Sequence, residues 1–252
     1  MLVRAFILAK NEEANIARSV SAVVSCRIPV TVLDSGSADR TSAIAASHGA
    51  TVESYEYRSH ADAYEDTCLR CGPDVAVIVL DADMILTRAL VEEGVAALGR
   101  GADVVEAPVS MCWNGVPLRW ASLCPPKAFL LRGGATHFVA SGHGERPRPG
   151  VKIITTRAPL LHDDRKPFDA YLASQARYAR NLVARARAGQ VTVRDKLRST
   201  TPVMLLVSPV ASYLGRGGIL DGWSGLGYAL DRVIAEAIMF RESIAARRDP
   251  PR

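Results

Sequence analysis

Apolar and polar positions change period several times along the chain, and the sharpest break follows the run Val75-Ala76-Val77-Ile78-Val79-Leu80, which passes directly into Asp81-Ala82-Asp83. A short run apolar at every position reads as a strand buried on both faces. Similar runs at Leu2–Ala9, Val30–Leu33 and Thr51–Tyr55 predict three earlier strands. Between the first two, Ile16, Val20, Val23 and Val24 fall at helical spacing, so a helix is expected from the Lys10-Asn11-Glu12-Glu13 break to about Ser25. Further helices are expected after Asp34-Ser35-Gly36-Ser37-Ala38-Asp39-Arg40-Thr41, stopped by Gly49, and near Ala61–Arg70. Strand and helix in strict alternation predict an α/β fold, with a mostly parallel central sheet flanked by helices.

Beyond the paired aspartates, Thr87 is placed to cap a helix reaching about Leu98. Asp103–Met111 reads as one strand, Trp113-Asn114-Gly115-Val116-Pro117-Leu118 as a tight turn, and Lys127–Leu131 as a strand ended by Gly133-Gly134. Residues 134–150, rich in Gly, Pro, His and Arg, predict a mobile loop. Pro167 opens a helix whose apolar stripe is Phe168, Tyr171, Leu172, Tyr178, Ala179, Leu182 and Val183. An apolar stretch, Val203–Tyr213, precedes a last amphipathic helix at about Leu226–Ala245. The expected organisation is an α/β domain over residues 1–160 and a helical extension over 161–252, packed on the same domain.

Charge changes this picture in one respect. Residues 1–143 carry 12 Lys/Arg against 16 Asp/Glu, whereas residues 144–252 carry 19 against 10. The basic second half suggests an anionic partner, phosphates or an acidic membrane surface, with solvated helix faces as the plainer alternative. No nucleic-acid partner is expected. Five cysteines, an odd number, do not form a secreted disulfide framework, and Cys68-x-x-Cys71 lacks the second pair that a zinc site needs. Met1-Leu2-Val3-Arg4 enters a strand directly, and no apolar stretch reaches the roughly 18 residues that span a bilayer. A cytoplasmic protein is expected, or one peripheral on the cytosolic face of the inner membrane.

Three predicted strands end in polar groups: Ala9 with Asn11 and Glu12, Asp34 with Gly36, and Asp81 with Asp83. In a parallel sheet these ends line one crevice, where ligands bind. Paired carboxylates repel unless a cation or proton joins them, so Asp81 and Asp83 point to a hard divalent ion, Mg2+ or Mn2+. Neither a P-loop nor a dinucleotide-binding glycine pattern is present.

The order Ala9-Lys10-Asn11-Glu12, Leu33-Asp34-Ser35-Gly36-Ser37-Ala38-Asp39-Arg40-Thr41 and Leu80-Asp81-Ala82-Asp83 resembles the family 2 glycosyltransferases of the GT-A fold, over roughly the first 110 residues. That resemblance implies a UDP-sugar donor, UDP-glucose among the options, and transfer with inversion. It implies that Glu12 and Asp34 face the nucleoside, and that Asp81 and Asp83 form an Asp-x-Asp motif on ribose and metal. Asp39 is read as a helix cap. Gly142-His143-Gly144-Glu145-Arg146, Leu161-His162-Asp163-Asp164-Arg165-Lys166-Pro167 and Gly218-Ile219-Leu220-Asp221-Gly222-Trp223 resemble the lipopolysaccharide inner-core β-1,4-glucosyltransferase subgroup, implying a glycan or lipid-linked acceptor.

On this reading Glu145 is the candidate base for the acceptor hydroxyl, or else a loop carboxylate paired with Arg146 or Arg148. His162 is a metal ligand, a diphosphate contact or a structural residue, and Arg165 and Lys166 assist the leaving diphosphate. Asp163 and Asp164 either join the site or cap the next helix. Two alternatives stay open: a nucleotidyltransferase, and a non-catalytic nucleotide-sugar binder or membrane-associated scaffold.

Overall fold

A computed structural model of the protein describes residues 1–141, 144–189 and 192–248, with the backbone alone for 139–141, 144–146 and 194. The chain folds as two compact units, Met1–Pro117 with Cys124–Arg165, and Leu118–Leu123 with the chain from Lys166 onward.

The first unit begins β1 (Leu2–Ala9), α1 (Ile16–Ser25), β2 (Val30–Asp34), α2 (Thr41–Ser47), β3 (Thr51–Ser54), α3 (His60–Leu69), β4 (Val75–Asp81). There follow β5 (Met84–Ile85), α4 (Arg88–Gly99), β6 (Val104–Ala107), β7 (Val109–Trp113), β8 (Val116–Pro117) and β9 (Lys127–Arg132). It closes with β10 (Phe138–Ser141), β11 (Gly144–Pro147), β12 (Ile153–Thr155) and β13 (Leu160–His162). Seven strands form the main sheet in the order β12-β6-β9-β4-β1-β2-β3. The pairs β3-β2, β2-β1, β1-β4 and β6-β12 are parallel, and β9 runs antiparallel between β4 and β6.

The unbroken apolar run of β4 is explained by helices on both sheet faces. Ala76, Ile78 and Leu80 point to a core shared with Ile16, Val20 and Val23 of α1 and Leu90, Ala97 and Leu98 of α4. Val77 and Val79 point the other way, against Phe6, Leu8 and Tyr64. Every second residue therefore serves a different core, as the strand period requires. Thr87 caps α4 by accepting the Leu90 N–H at 3.2 Å.

Two expectations are corrected in this unit. Residues 103–111 are not one strand, because Pro108 has no N–H to continue the ladder. β6 stays in the main sheet, while β7 enters a second sheet of order β5-β13-β7-β8. Residues 134–150 are not one loop either, since β10 and β11 pair antiparallel, Phe138 opposite Pro147, and the Phe138 side chain is buried beside Tyr64. The turn at Asn114-Gly115 forms as expected. Both residues have positive φ, 47° and 83°, the geometry of a two-residue hairpin.

The second unit is helical: α5 (Phe168–Arg187), α6 (Val193–Thr200), α7 (Met204–Val210) and α8 (Gly222–Arg248). The Tyr171 hydroxyl donates to the Asp231 carbonyl at 2.8 Å, tying α5 to α8. Buried Glu236 accepts from Arg198 at 2.7 Å and Arg232 at 2.9 Å, tying α6 to α8. Apolar periodicity gives no sign of α6, although Thr192 and Asp195 form a capping box at its start. α8 begins at Gly222 rather than near Leu226, running straight on from a 3-10 turn at Gly218–Asp221. No helix among the described residues is long and apolar enough to cross a membrane.

Candidate active site

β1, β2 and β4 end at one edge of the sheet, in a register that sets Ala9 beside Asp34 and Leu8 beside Asp81. Sequence-distant polar groups become neighbours there. Asn11, at φ 55°, joins the loops after β1 and β2. Its side-chain oxygen accepts the Ala38 N–H at 2.8 Å, and its own N–H donates to Ser37 Oγ at 2.9 Å. Asn tolerates the left-handed region that this clamp needs. Ala9 is buried, and its carbonyl accepts the Ser35 N–H at 3.0 Å. The Glu12 N–H donates to Thr41 Oγ1 at 2.7 Å, and its carboxylate accepts from Asn15 Nδ2 at 2.8 Å. Gly36 makes the turn after β2 with φ 80°. Asp39 accepts the Thr41 N–H at 3.0 Å at the start of α2, consistent with a capping role.

Asp34 is buried at the end of β2. It accepts from the Ser37 N–H at 2.9 Å, from Ser37 Oγ at 2.7 Å, and from the Ser42 hydroxyl. Burial opposes its charge, but the Ser42 and Ser37 hydrogen bonds outweigh that and hold its carboxyl below the ordinary range.

Asp81 and Asp83 take different partners. β4 ends at Asp81, and the chain turns through Ala82 and Asp83 into β5. Asp81 Oδ2 accepts from Lys127 Nζ at 2.7 Å, and its Oδ1 lies 3.9 Å from His60 Nδ1. Burial again opposes charge, yet the Lys127 ammonium and His60 hold the Asp81 carboxyl below its usual range. Asp83 Oδ2 lies 2.9 Å from His162 Nε2, and its Oδ1 is buried with no hydrogen-bond partner. Burial alone would lower the His162 pKa, but Asp83, and less strongly Asp81, raise it.

Among the described residues no three His, Cys, Asp or Glu side chains form a ready metal cage. That arrangement still suits Mg2+ or Mn2+, which dehydrate reluctantly and bind through one or two carboxylates plus substrate phosphates. The orphaned, buried Asp83 Oδ1 next to an imidazole, with the Asp81 carboxylate two residues earlier, is a donor set that fits such an ion.

Behind this edge lies a hub that local sequence patterns do not reveal. Buried Asn15 donates from Nδ2 to Asp164 Oδ1 at 2.8 Å and accepts the Arg165 N–H on Oδ1 at 2.8 Å. Buried Asp163 pairs with Arg165 Nε at 2.7 Å and Arg18 Nε at 3.5 Å. Asp163 and Asp164 therefore tie the segment after β13 to α1, and Pro167, not either aspartate, is the first residue flanking α5. Arg165 lies against the Asn114-Gly115 turn, where a Cβ on Gly115 would collide with its guanidinium. Lys166 begins the helical unit. Glu145 lies on β11 opposite Ala140, and its side chain, like His143, lies outside the described residues.

A cleft of 410 Å³ opens at this edge, lined by Asp81, Glu106, Lys127 and His162 among apolar groups that include Phe138 and Pro147. Lys127, His60, Asn15 and Glu106 are thus site residues beyond those expected from the sequence. Only long-range pairing places them here, and the one local signal is the strand-like run that begins at Lys127.

The architecture is that of the GT-A class, a parallel-rich sheet with acidic strand ends. The sequence profile described as glycosyl transferase family 2 matches residues 5–135, just over half the chain, and the protein belongs to that family. Among solved structures, a mycobacterial protein aligns over 72% of this chain and 74% of its own, at 18% identity and a TM-score of 0.50. Glucosyl-3-phosphoglycerate synthase from Mycobacterium tuberculosis, in complex with Mn2+, UDP-glucose and phosphoglyceric acid, aligns at 26% identity over 43% of this chain, with a TM-score of 0.38. That alignment spans 44% of the synthase chain. The same enzyme with phosphoglyceric acid aligns over 76% of this chain and 81% of its own, at 19% identity and a TM-score of 0.48. No curated protein sequence matches significantly.

The Asp34 cage makes a pH-dependent prediction. A depressed folded-state pKa contributes stability above the unfolded value, near 3.9, and that stability is lost as pH falls through the folded value. Ser42→Ala should raise the Asp34 pKa and cost about 1–3 kcal/mol at neutral pH. The difference from wild type should vanish in acid, where both carboxyls are protonated. Carboxyl 13C titration and denaturant melts at several pH values measure both effects. An unmoved Asp34 titration would contradict the cage.

Proposed function

We propose that the protein transfers a sugar, with inversion at the anomeric carbon, from a UDP-sugar such as UDP-glucose to a lipid-linked or lipopolysaccharide-core-type acceptor. The observation carrying the donor assignment is the gathering of Asp34, Asp81 and Asp83 at one sheet edge, with Asp83 Oδ1 buried and unpartnered. Asp34, oriented by Ser37 and Ser42, offers its remaining acceptor capacity to the uracil, and Ala9, Asn11, Glu12 and Gly36 shape the nucleoside pocket. Asp81 faces the ribose, and Asp81, Asp83 and His162 would hold Mg2+ or Mn2+. When bound, that ion neutralises the charge developing on the diphosphate.

In the transfer, the acceptor hydroxyl oxygen forms a bond to the anomeric carbon as the bond to the diphosphate breaks. UDP departs with the bonding pair, and Glu145 takes the hydroxyl proton. The assignment of Glu145 is supported by its place two residues before Pro147, which lines the cleft. Arg165, held beside α1 by Asn15 and Asp163, supplies positive charge for the departing diphosphate.

The acceptor reading is supported by exposed apolar side chains of the helical unit. Trp120, Leu214, Ile219, Leu220 and Trp223 are all exposed, Trp223 to 85%. A Cβ on Gly217 would lie 3.7 Å from both Trp120 and Leu220, so the two side chains flank it. Arg119 lies over the Trp120 ring, and Arg216 is exposed beside the turn. Asp221 is occupied by backbone donors, accepting the N–H groups of Arg119, Trp120 and Ala121 at 2.8–3.0 Å. Indole rings, aliphatic side chains and arginines suit the interface of an anionic bilayer, where a lipid-linked acceptor is presented.

The donor assignment predicts that UDP raises the melting temperature only with Mn2+ or Mg2+, and that Asp83→Ala abolishes the response. Unchanged melting with every nucleotide would remove it. Glu145→Gln should keep the UDP response yet transfer no sugar, and full activity would dismiss Glu145 as base. For the membrane, flotation should recover the protein with anionic but not neutral vesicles, and Trp223→Asp with Leu220→Asp should lower recovery about tenfold. Equal recovery on both vesicle types would defeat the electrostatic part.

A further inference from the structure

Lys127 stands where the proposed metal site meets the cleft. In the register between β4 and β9, Ala76 faces Arg132 and Ile78 faces Leu130. Continued along both strands, that register sets Lys127 opposite Asp81. The ammonium lies 2.7 Å from Asp81 Oδ2, with side-chain exposures of 22% for Lys127 and 29% for Asp81. Of the described residues lining the 410 Å³ cleft, Lys127 is the one Lys or Arg, and its lining neighbours include the carboxylates Asp81 and Glu106. A half-buried carboxylate in such surroundings is costly without a nearby cation. Lysine meets the need with a compact charge on a flexible stem, able to leave as readily as it arrives.

We propose that Lys127 is the built-in counter-cation of the donor site, one that must release Asp81 before a divalent ion engages it and that then turns to the donor diphosphate. The inference rests on the donor reading above and deepens it. It makes Lys127 a positioning residue that couples metal to nucleotide. In the empty site the ammonium and a divalent ion compete for Asp81, so metal alone binds weakly. With UDP present the displaced ammonium gains a new anionic partner, so each ligand strengthens the other. Such coupling is reciprocal by thermodynamic necessity.

The test is Mn2+ titration, by calorimetry or by the loss of the free Mn2+ electron-spin resonance signal, with and without UDP. Wild type, Lys127→Met and Lys127→Arg are compared, and thermal melts confirm that each is folded. Lys127→Met should bind Mn2+ alone about tenfold more tightly, and the enhancement of Mn2+ affinity by UDP should fall about tenfold. Lys127→Arg, which keeps the charge, should stay close to wild type and carries the test if Lys127→Met does not fold: a Lys127→Arg protein that loses the UDP enhancement would overturn the proposal. An unchanged or weaker Mn2+ affinity in folded Lys127→Met, with the UDP enhancement intact, would also overturn it. Wild-type protein that binds no Mn2+ even with UDP would instead bring down the donor reading, and the inference with it.

Discussion

Carboxylates gathered at one edge of a sheet repel one another, and the way each is compensated organises this molecule. Asp34 is compensated by hydroxyl and backbone donors, Asp81 by Lys127, and Asp83 on one oxygen by His162. The buried Asp83 Oδ1 is left without a hydrogen bond. These solutions differ in permanence. Hydrogen bonds from the Ser37 turn and from Ser42 in α2 are part of the fold, whereas an ammonium on a flexible stem can exchange for another cation. The edge is therefore fixed where a nucleoside would be held and adjustable where a metal and diphosphate would enter.

The alternating half of the fold is legible in the sequence. β1 to β4 and the helices between them follow from clean periodicities, and the ends of β2 and β4 locate Asp34 and Asp81. What escapes a local reading is set by pairing across long separations. Lys127 is 46 residues from Asp81, and Asn15 is 149 from Asp164. No local period reports such neighbours. Pro108 is a readable warning that the 103–111 run divides. Phe138, by contrast, sits in a Gly- and Pro-rich segment whose composition conceals a buried strand.

The helical unit shows a different division. Its long helices are readable from their apolar stripes, but α6, short and polar, is betrayed only by Thr192 and Asp195. The role of Asp221 is invisible locally, because it satisfies three backbone donors about 100 residues earlier in the chain. That tether holds the Arg119–Ala121 segment to the 3-10 turn that leads into α8.

The central claim is that Asp83, with Asp81 and His162, would hold a divalent ion when the donor diphosphate is bound. Anomalous diffraction from crystals grown with UDP and Mn2+ tests it most directly. The predicted result is one Mn2+ peak within coordinating distance of Asp83 and of the diphosphate, with Asp81 and His162 around it. UDP bound at the strand ends with no Mn2+ at Asp83, or Mn2+ bound elsewhere, would contradict it.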